Sequence, residues 1–286
     1  MDLQTALSSV AVQNAFADKT TVPNPSASQA QGDESDPAEV ECELIIAIDF
    51  GTTYSGVAYS NSGADIFKMV STRRGIGALR DSVITIRDWP NYDPMYPEKA
   101  ATILAYEGGK PLAWGGSVKP SHQVTAELFK LGLQESDSSE NEPVNAEGES
   151  VMGFVNVSEF VHPDLPNKGP IDMTADYLSL LRKHVLETSL RKHFGKEFLE
   201  NQTIKYVLTV PAIWSDKARN ATKRAAERAG IPEEDLDIVT EPEAAAIYCS
   251  TLCTEVSLRD GDSFLICDAG GGTVVCVLAR LRILTC

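Results

Sequence analysis

The chain of 286 residues predicts an α/β protein, and two observations carry that class. From residue 171 to 252, capped helical segments alternate with short β-branched apolar runs. Toward either end of the chain stands a strand–turn–strand unit whose first strand ends on an aspartate and whose turn is glycine and threonine. The units are LIIAIDFGTTYSGVAY, residues 44–59, and SFLICDAGGGTVVCV, residues 263–277. Such a turn lets backbone N–H groups approach a phosphate, and the aspartate can face the phosphate's metal. Two units of one design suggest two halves gripping one phosphate chain.

Taken in order, residues 1–40 are rich in Ser, Ala, Gln, Pro and Asp, the composition of a disordered leader. Residues 44–48 form a buried strand, and residues 56–59 return as the second arm of a hairpin. Further strands are expected over 66–70 and 82–86, on either side of the basic turn at Arg73 and Arg74. Residues 88–97 hold turn chemistry with exposed aromatics. Short strands over 100–106 and 112–114 flank the Gly108-Gly109 turn. Residues 125–133, with Ala126, Leu128, Phe129 and Leu131, read as a short helix, and residues 134–150 as an acidic flexible insertion.

Asp172 or Thr174 then caps a long helix whose Leu178, Leu181, Val185, Leu186 and Leu190 follow helical spacing. Its His184 and His193 read as surface residues, and Gly195 stops it. A strand over 203–210 leads to a helix over 216–229, capped by Ser215 and bearing a small-residue face of Ala218, Ala221, Ala225 and Ala229. A strand over 236–239 meets the capping box Thr240-Glu241-Pro242-Glu243, which opens a third helix from Ala244 to about Leu252. The expected division is a leader over 1–40, one lobe over 41–260, and the first hairpin of a second lobe over 261–286.

Composition narrows the function. With 25 basic against 41 acidic residues the net charge is −16, which repels nucleic acid and anionic membrane and excludes both as bulk partners. No apolar run of about 18 residues marks a transmembrane helix, and no secretory or transit peptide is evident, so a cytoplasmic protein is expected. The six cysteines contain no C-x-x-C pair and read as buried thiols, with Cys249 and Cys253 sharing a helix face. There is no P-loop, no serine-nucleophile elbow and no H-E-x-x-H zinc site, and Gly270-Gly271-Gly272 opens a strand rather than a Rossmann helix.

The ordered set of the first hairpin, TIKYVLTVPAIWSD, TEPEAAAIY and FLICDAGGGT resembles the actin-like ATPase superfamily. Within it the set is similar to the nucleotide domain of the 70-kilodalton heat-shock chaperones, in a divergent, fungal-type branch. The resemblance covers residues 44–274. It implies an actin-like, ribonuclease H-like lobe with a mixed sheet and flanking helices, binding ATP or ADP with Mg2+, hydrolysing ATP, and meeting co-chaperone or client proteins in a complete parent. Carried over residue by residue, Gly51, Thr52, Thr53 and Tyr54 would hold phosphates from one lobe, and Gly270, Gly271, Gly272 and Thr273 from the other. Asp49 and Asp268 would organise the metal through its waters, Asp268 also serving catalysis. Glu241 would orient or deprotonate the attacking water, and Lys130 would face a phosphate.

Plainer readings stand beside these. The two aspartates could be strand-end turn residues, Glu241 a helix-dipole partner, and Lys130 a solvated lysine. The Pro211–Trp214 turn reads as structural. The pattern breaks at Val275, where the family's second hairpin carries an acid, and no adenosine-binding segment follows. That implies a truncated second lobe with exposed apolar strand surface. The alternatives are therefore a non-catalytic interaction protein that kept the fold, or a sugar or acid kinase of the same superfamily.

Overall fold

The computed structural model describes residues 43–61, 83–134, 165, 167–252, 261–270 and 274–280. At its centre is β1 (Glu43–Asp49), in which every residue from Leu44 to Asp49 is at most 6% exposed. A strand covered on both faces needs a continuous apolar run rather than alternation, and Leu44 to Ile48 supplies one. It pairs antiparallel with β2 (Tyr54–Ser60), so the first strand–turn–strand unit is a hairpin. On its other side it pairs parallel with β8 (Thr203–Val210), which pairs parallel with β9 (Leu236–Thr240). Two short strands, β3 (Ile84–Thr85) and β4 (Ala100–Ala101), add antiparallel to β2. The sheet is thus mixed, in the order β3-β2-β1-β8-β9 with β4 alongside β2. A separate antiparallel sheet sets β5 (Ile103–Glu107) between β6 (Lys110–Trp114) and β7 (Val124–Glu127).

Helices flank the main sheet. The first, α1 (Pro170–His184), runs on through a π-helical stretch, Val185–Leu190, into α2 (Arg191–Phe194), and Gly195, at φ +83°, ends it. The cap differs from expectation. Gly169 is the N-cap, Asp172 serves from inside the first turn by accepting the Gly169 N–H at 3.1 Å, and Thr174 is buried within the helix. After the short α3 (Lys196–Glu200) and β8, α4 (Asp216–Arg228) begins where Ser215 Oγ accepts the Ala218 N–H at 3.2 Å. Buried Ala218, Ala225 and Ala226 let α4 lie against α1. The helix α5 (Glu241–Leu252) opens with the predicted box: Glu243 accepts the Thr240 N–H at 3.0 Å, and Thr240 Oγ1 accepts the Glu243 N–H at 3.3 Å. Among the described residues no helix is long and apolar enough to cross a membrane.

Several expectations are corrected. Residues 125–133 are not a helix. β7 pairs with the free side of β5, Leu128 then takes a positive φ of 57°, and a 3-10 turn, Leu131–Leu133, follows. The apolar spacing suited either state, and an available strand edge decided it. Among the described residues of the expected strand over 82–86, Ile84 and Thr85 form the strand and the Ile86 N–H donates to the Val57 carbonyl at 2.8 Å. The strand over 66–70, the insertion over 135–150 and Cys253 lie outside the described residues. The second hairpin forms from β10 (Ser263–Ala269) and β11 (Val274–Arg280), with Leu265 and Leu278 exposed. Its cysteines are not buried: Cys267 and Cys276 face each other with Sγ atoms 2.6 Å apart and are exposed, as is Cys249.

His184 is likewise no surface residue. Its Nε2 lies 3.0 Å from the Asp88 carbonyl oxygen, and its ring lies against Trp89 and Trp114. Burial lowers its pKa, outweighing the Asp88 carbonyl and carboxylate that favour the cation, while nearby Lys192 lowers it further. A histidine held neutral takes up its proton in the unfolded chain near pH 6.5, before the folded chain does. Stability contributed by the neutral ring is therefore lost as pH falls below about 6.5 toward the lowered folded value. The melting temperature should fall between pH 7 and 5.5, and His184→Gln should flatten that slope; parallel slopes would contradict this reading.

Candidate functional site

A cleft of about 250 Å³ opens where the β1–β2 turn, the start of α5 and the end of β10 converge. That volume is below the roughly 300–1,000 Å³ of complete small-molecule pockets.

One wall is the first hairpin. Asp49, at the end of β1, is buried; its Oδ1 accepts the Thr209 hydroxyl at 3.2 Å and its Oδ2 pairs with Lys99. Gly51 is required by crowding: a Cβ there would lie 2.0 Å from the Tyr54 carbonyl oxygen. Thr52 and Thr53 are half-buried along the same wall, and Tyr54 packs at 5.3 Å against Tyr96.

The floor belongs to Lys130 and Glu241, far apart in sequence and joined by an ion pair of 2.7 Å. Lys130 is 3% exposed and lies 5.5 Å from the centres of both the Phe50 and Trp214 rings. It is a buried cation, not a solvated lysine. The mispredicted helix does not misplace it, because Phe129 anchors the segment in a ring cluster with Phe50 at 6.3 Å and Tyr177 at 5.9 Å. Burial pushes the Glu241 carboxyl above the usual range, and Lys130 pulls against that shift, while the Asp49 and Asp268 charges reinforce it. Asp268 and Gly270 from the second hairpin also line the cleft; Gly271, Gly272 and Thr273 lie outside the described residues.

The cleft also holds residues that sequence reasoning missed. Trp214, read as part of a structural turn, faces Lys130. Lys99 and Tyr96 come from the aromatic loop before β4, and nothing local to the sequence marks them. Three acids, Asp49, Glu241 and Asp268, and two lysines, Lys99 and Lys130, share the space. Among the described residues no three His, Cys, Asp or Glu side chains gather as a direct metal cage. Two separated carboxylates suit a hard cation that keeps most of its water, as magnesium does, better than a fully protein-ligated ion.

A family model described as Hsp70 protein matches residues 182–282. The human heat shock 70 kDa protein 12A is 27% identical over 227 residues, 73% of this chain and 29% of its own length. The chaperone protein HscA homolog of Azotobacter vinelandii is 29% identical over 251 residues, 86% of this chain and 33% of its own. Heat shock 70 kDa protein 7 of Arabidopsis thaliana, a chloroplastic protein, is 28% identical over 241 residues, 83% of this chain and 28% of its own. The chain therefore spans no more than about a third of the length of these relatives.

Proposed function

We propose that this chain is a nucleotide-binding domain of the Hsp70 type, as its match to the Hsp70 family model over residues 182–282 and its likeness to Hsp70 relatives support, and that its cleft binds the polyphosphate of ATP and hydrolyses the terminal phosphate. The observation that carries the proposal is the buried Lys130–Glu241 pair beside Asp49 and the tight Gly51 turn. Phosphoryl transfer asks for positioning and charge neutralisation more than for covalent chemistry, and this set offers both.

Thr52, Thr53 and the turn's backbone N–H groups hold phosphate oxygens on one side, with Gly270 and the rest of its turn on the other. Lys130 sits at the floor as a fixed positive charge. Glu241, oriented by Lys130, accepts the proton of the attacking water. The water oxygen bonds to the terminal phosphorus, the bridging P–O bond breaks, and ADP and phosphate leave. A carboxylate made more basic by burial is the better acceptor for that proton. Asp49 and Asp268 would hold magnesium through its waters, and that ion would supply charge neutralisation at the phosphates. In a longer parent, turnover would switch the conformation offered to co-chaperones or clients, and the protein would act in the cytoplasm.

A second reading, a non-catalytic interaction protein, is favoured by Val275, which replaces the acid of the family's second hairpin. Incubation of the purified chain with Mg2+ and labelled ATP separates the two: release of labelled phosphate supports the enzyme, and binding without release supports the second reading. Candidate sugars added to the same assay test for kinase activity, which would appear as label transferred to the sugar.

A further inference from the structure

Lys99 differs from Lys130 in a way that bears on phosphate binding. The Lys130 side chain is 4% exposed and fixed between two rings against Glu241. The Lys99 side chain is 25% exposed and reaches Asp49 from the rim. Its backbone is well held. The Lys99 N–H donates to the Tyr96 carbonyl at 3.0 Å, and the Thr102 N–H donates to the Thr53 carbonyl at 2.8 Å. Strand register sets Ala100 against Ser55 and Ala101 against Tyr54, and the Ser55 and Thr102 hydroxyls meet at 2.8 Å. A held base beside the Thr52-Thr53 turn thus carries a long, flexible-stemmed side chain whose ammonium reaches the cleft at Asp49.

We propose that Lys99 is a second phosphate-binding cation of this cleft, one that exchanges the Asp49 carboxylate for the terminal phosphate of a nucleotide. The assignment rests on the ATP-binding reading above. Charge makes the exchange favourable. Without Lys99, the three acids among the described lining residues would face the polyphosphate with Lys130 as the one described lysine, in a chain of net charge −16. An ammonium on a phosphate oxygen is a charge-assisted hydrogen bond of the same class as the one given up to Asp49, and a terminal phosphate carries more negative charge than one carboxylate. The same movement leaves Asp49 free for a hydrated cation. Lys99 is then a direct ligand in the absence of magnesium, when the phosphates are least neutralised.

The test is equilibrium titration of the full chain with ATP, in Mg2+ and in EDTA, for wild type, Lys99→Met, Lys99→Arg and the exposed control Lys110→Met, each checked for folding by thermal unfolding. Lys99→Met is expected to weaken binding about 10- to 100-fold in EDTA. The loss in Mg2+ should be smaller, Lys99→Arg should retain most of the affinity, and Lys110→Met should match wild type. Unchanged Lys99→Met affinity in EDTA, with wild type binding, overturns the Lys99 assignment and leaves the ATP reading intact. A loss confined to Mg2+ also overturns it, because Lys99 would then only orient Asp49. Failure of the wild type to bind ATP in either condition overturns both.

Discussion

Glu241→Gln is expected to lower ATP turnover by about 10²–10⁴-fold, the usual worth of a positioned general base, while nucleotide affinity changes only a few-fold. Glutamine keeps the shape at the start of α5 and still offers an oxygen to Lys130, but it cannot take a proton from water. The effect should fall on kcat rather than KM, because the proton moves in the transition state and not on binding. Labelled-phosphate release at saturating ATP reads the first quantity, and equilibrium titration reads the second. Turnover within a few-fold of wild type would show that Glu241 only starts the helix and pairs with Lys130. The companion change Lys130→Met leaves Glu241 buried without its cation, so its interpretation requires a stability measurement as well.

Asp49→Asn carries the second large effect. Asparagine still fits at the end of β1 and can accept from Thr209 Oγ1, as Asp49 does at 3.2 Å, so the sheet should stand. The carboxylate charge is lost, and with it one of the two groups suited to a hydrated magnesium ion. Affinity for ATP in Mg2+ should fall about 10- to 100-fold, the range seen when an outer-sphere metal partner is removed. Affinity in EDTA should not fall, because the change also releases Lys99 from its ion pair. Titration in the two conditions checks the pattern. An equal loss in both would point to a damaged turn, and no loss in either would remove Asp49 from the site.

The parts of the fold legible in the sequence are those governed by short-range physics. The first hairpin announces itself by a β-branched run, a polar turn with an obligatory glycine, and a second apolar run. Ser215 and the Thr240–Glu243 box mark helix starts because a cap is a contact between residues three apart. The corrected parts depend on distant partners. Residues 125–133 have apolar spacing that fits a helix, yet β5 offers an unpaired side, and Leu128 at φ 57° breaks the chain between strand and 3-10 turn. His184 has a surface-like place in its helix until the loop at Asp88 and Trp89 folds over it.

The candidate site divides the same way. Asp49, Gly51 to Tyr54, Glu241, Asp268 and Gly270 sit in motifs whose spacing can be read locally. The Lys130–Glu241 pair spans 111 positions and the Lys99–Asp49 pair spans 50. A lysine carries no local mark of such a partner. Lys130 is reachable only through family resemblance, and Lys99 only through the pairing of β4 with β2.

The central claim is that the turn after Asp49 and the turn after Asp268 close on one polyphosphate. Amide hydrogen exchange of the full chain, with and without Mg-ATP, tests it most directly, since phosphate-bound N–H groups exchange slowly. The account predicts slowed exchange in peptides covering residues 51–54 and in those covering residues 270–273, with little change in β5 to β7. Slowed exchange confined to other segments, or none at saturating nucleotide, would contradict it.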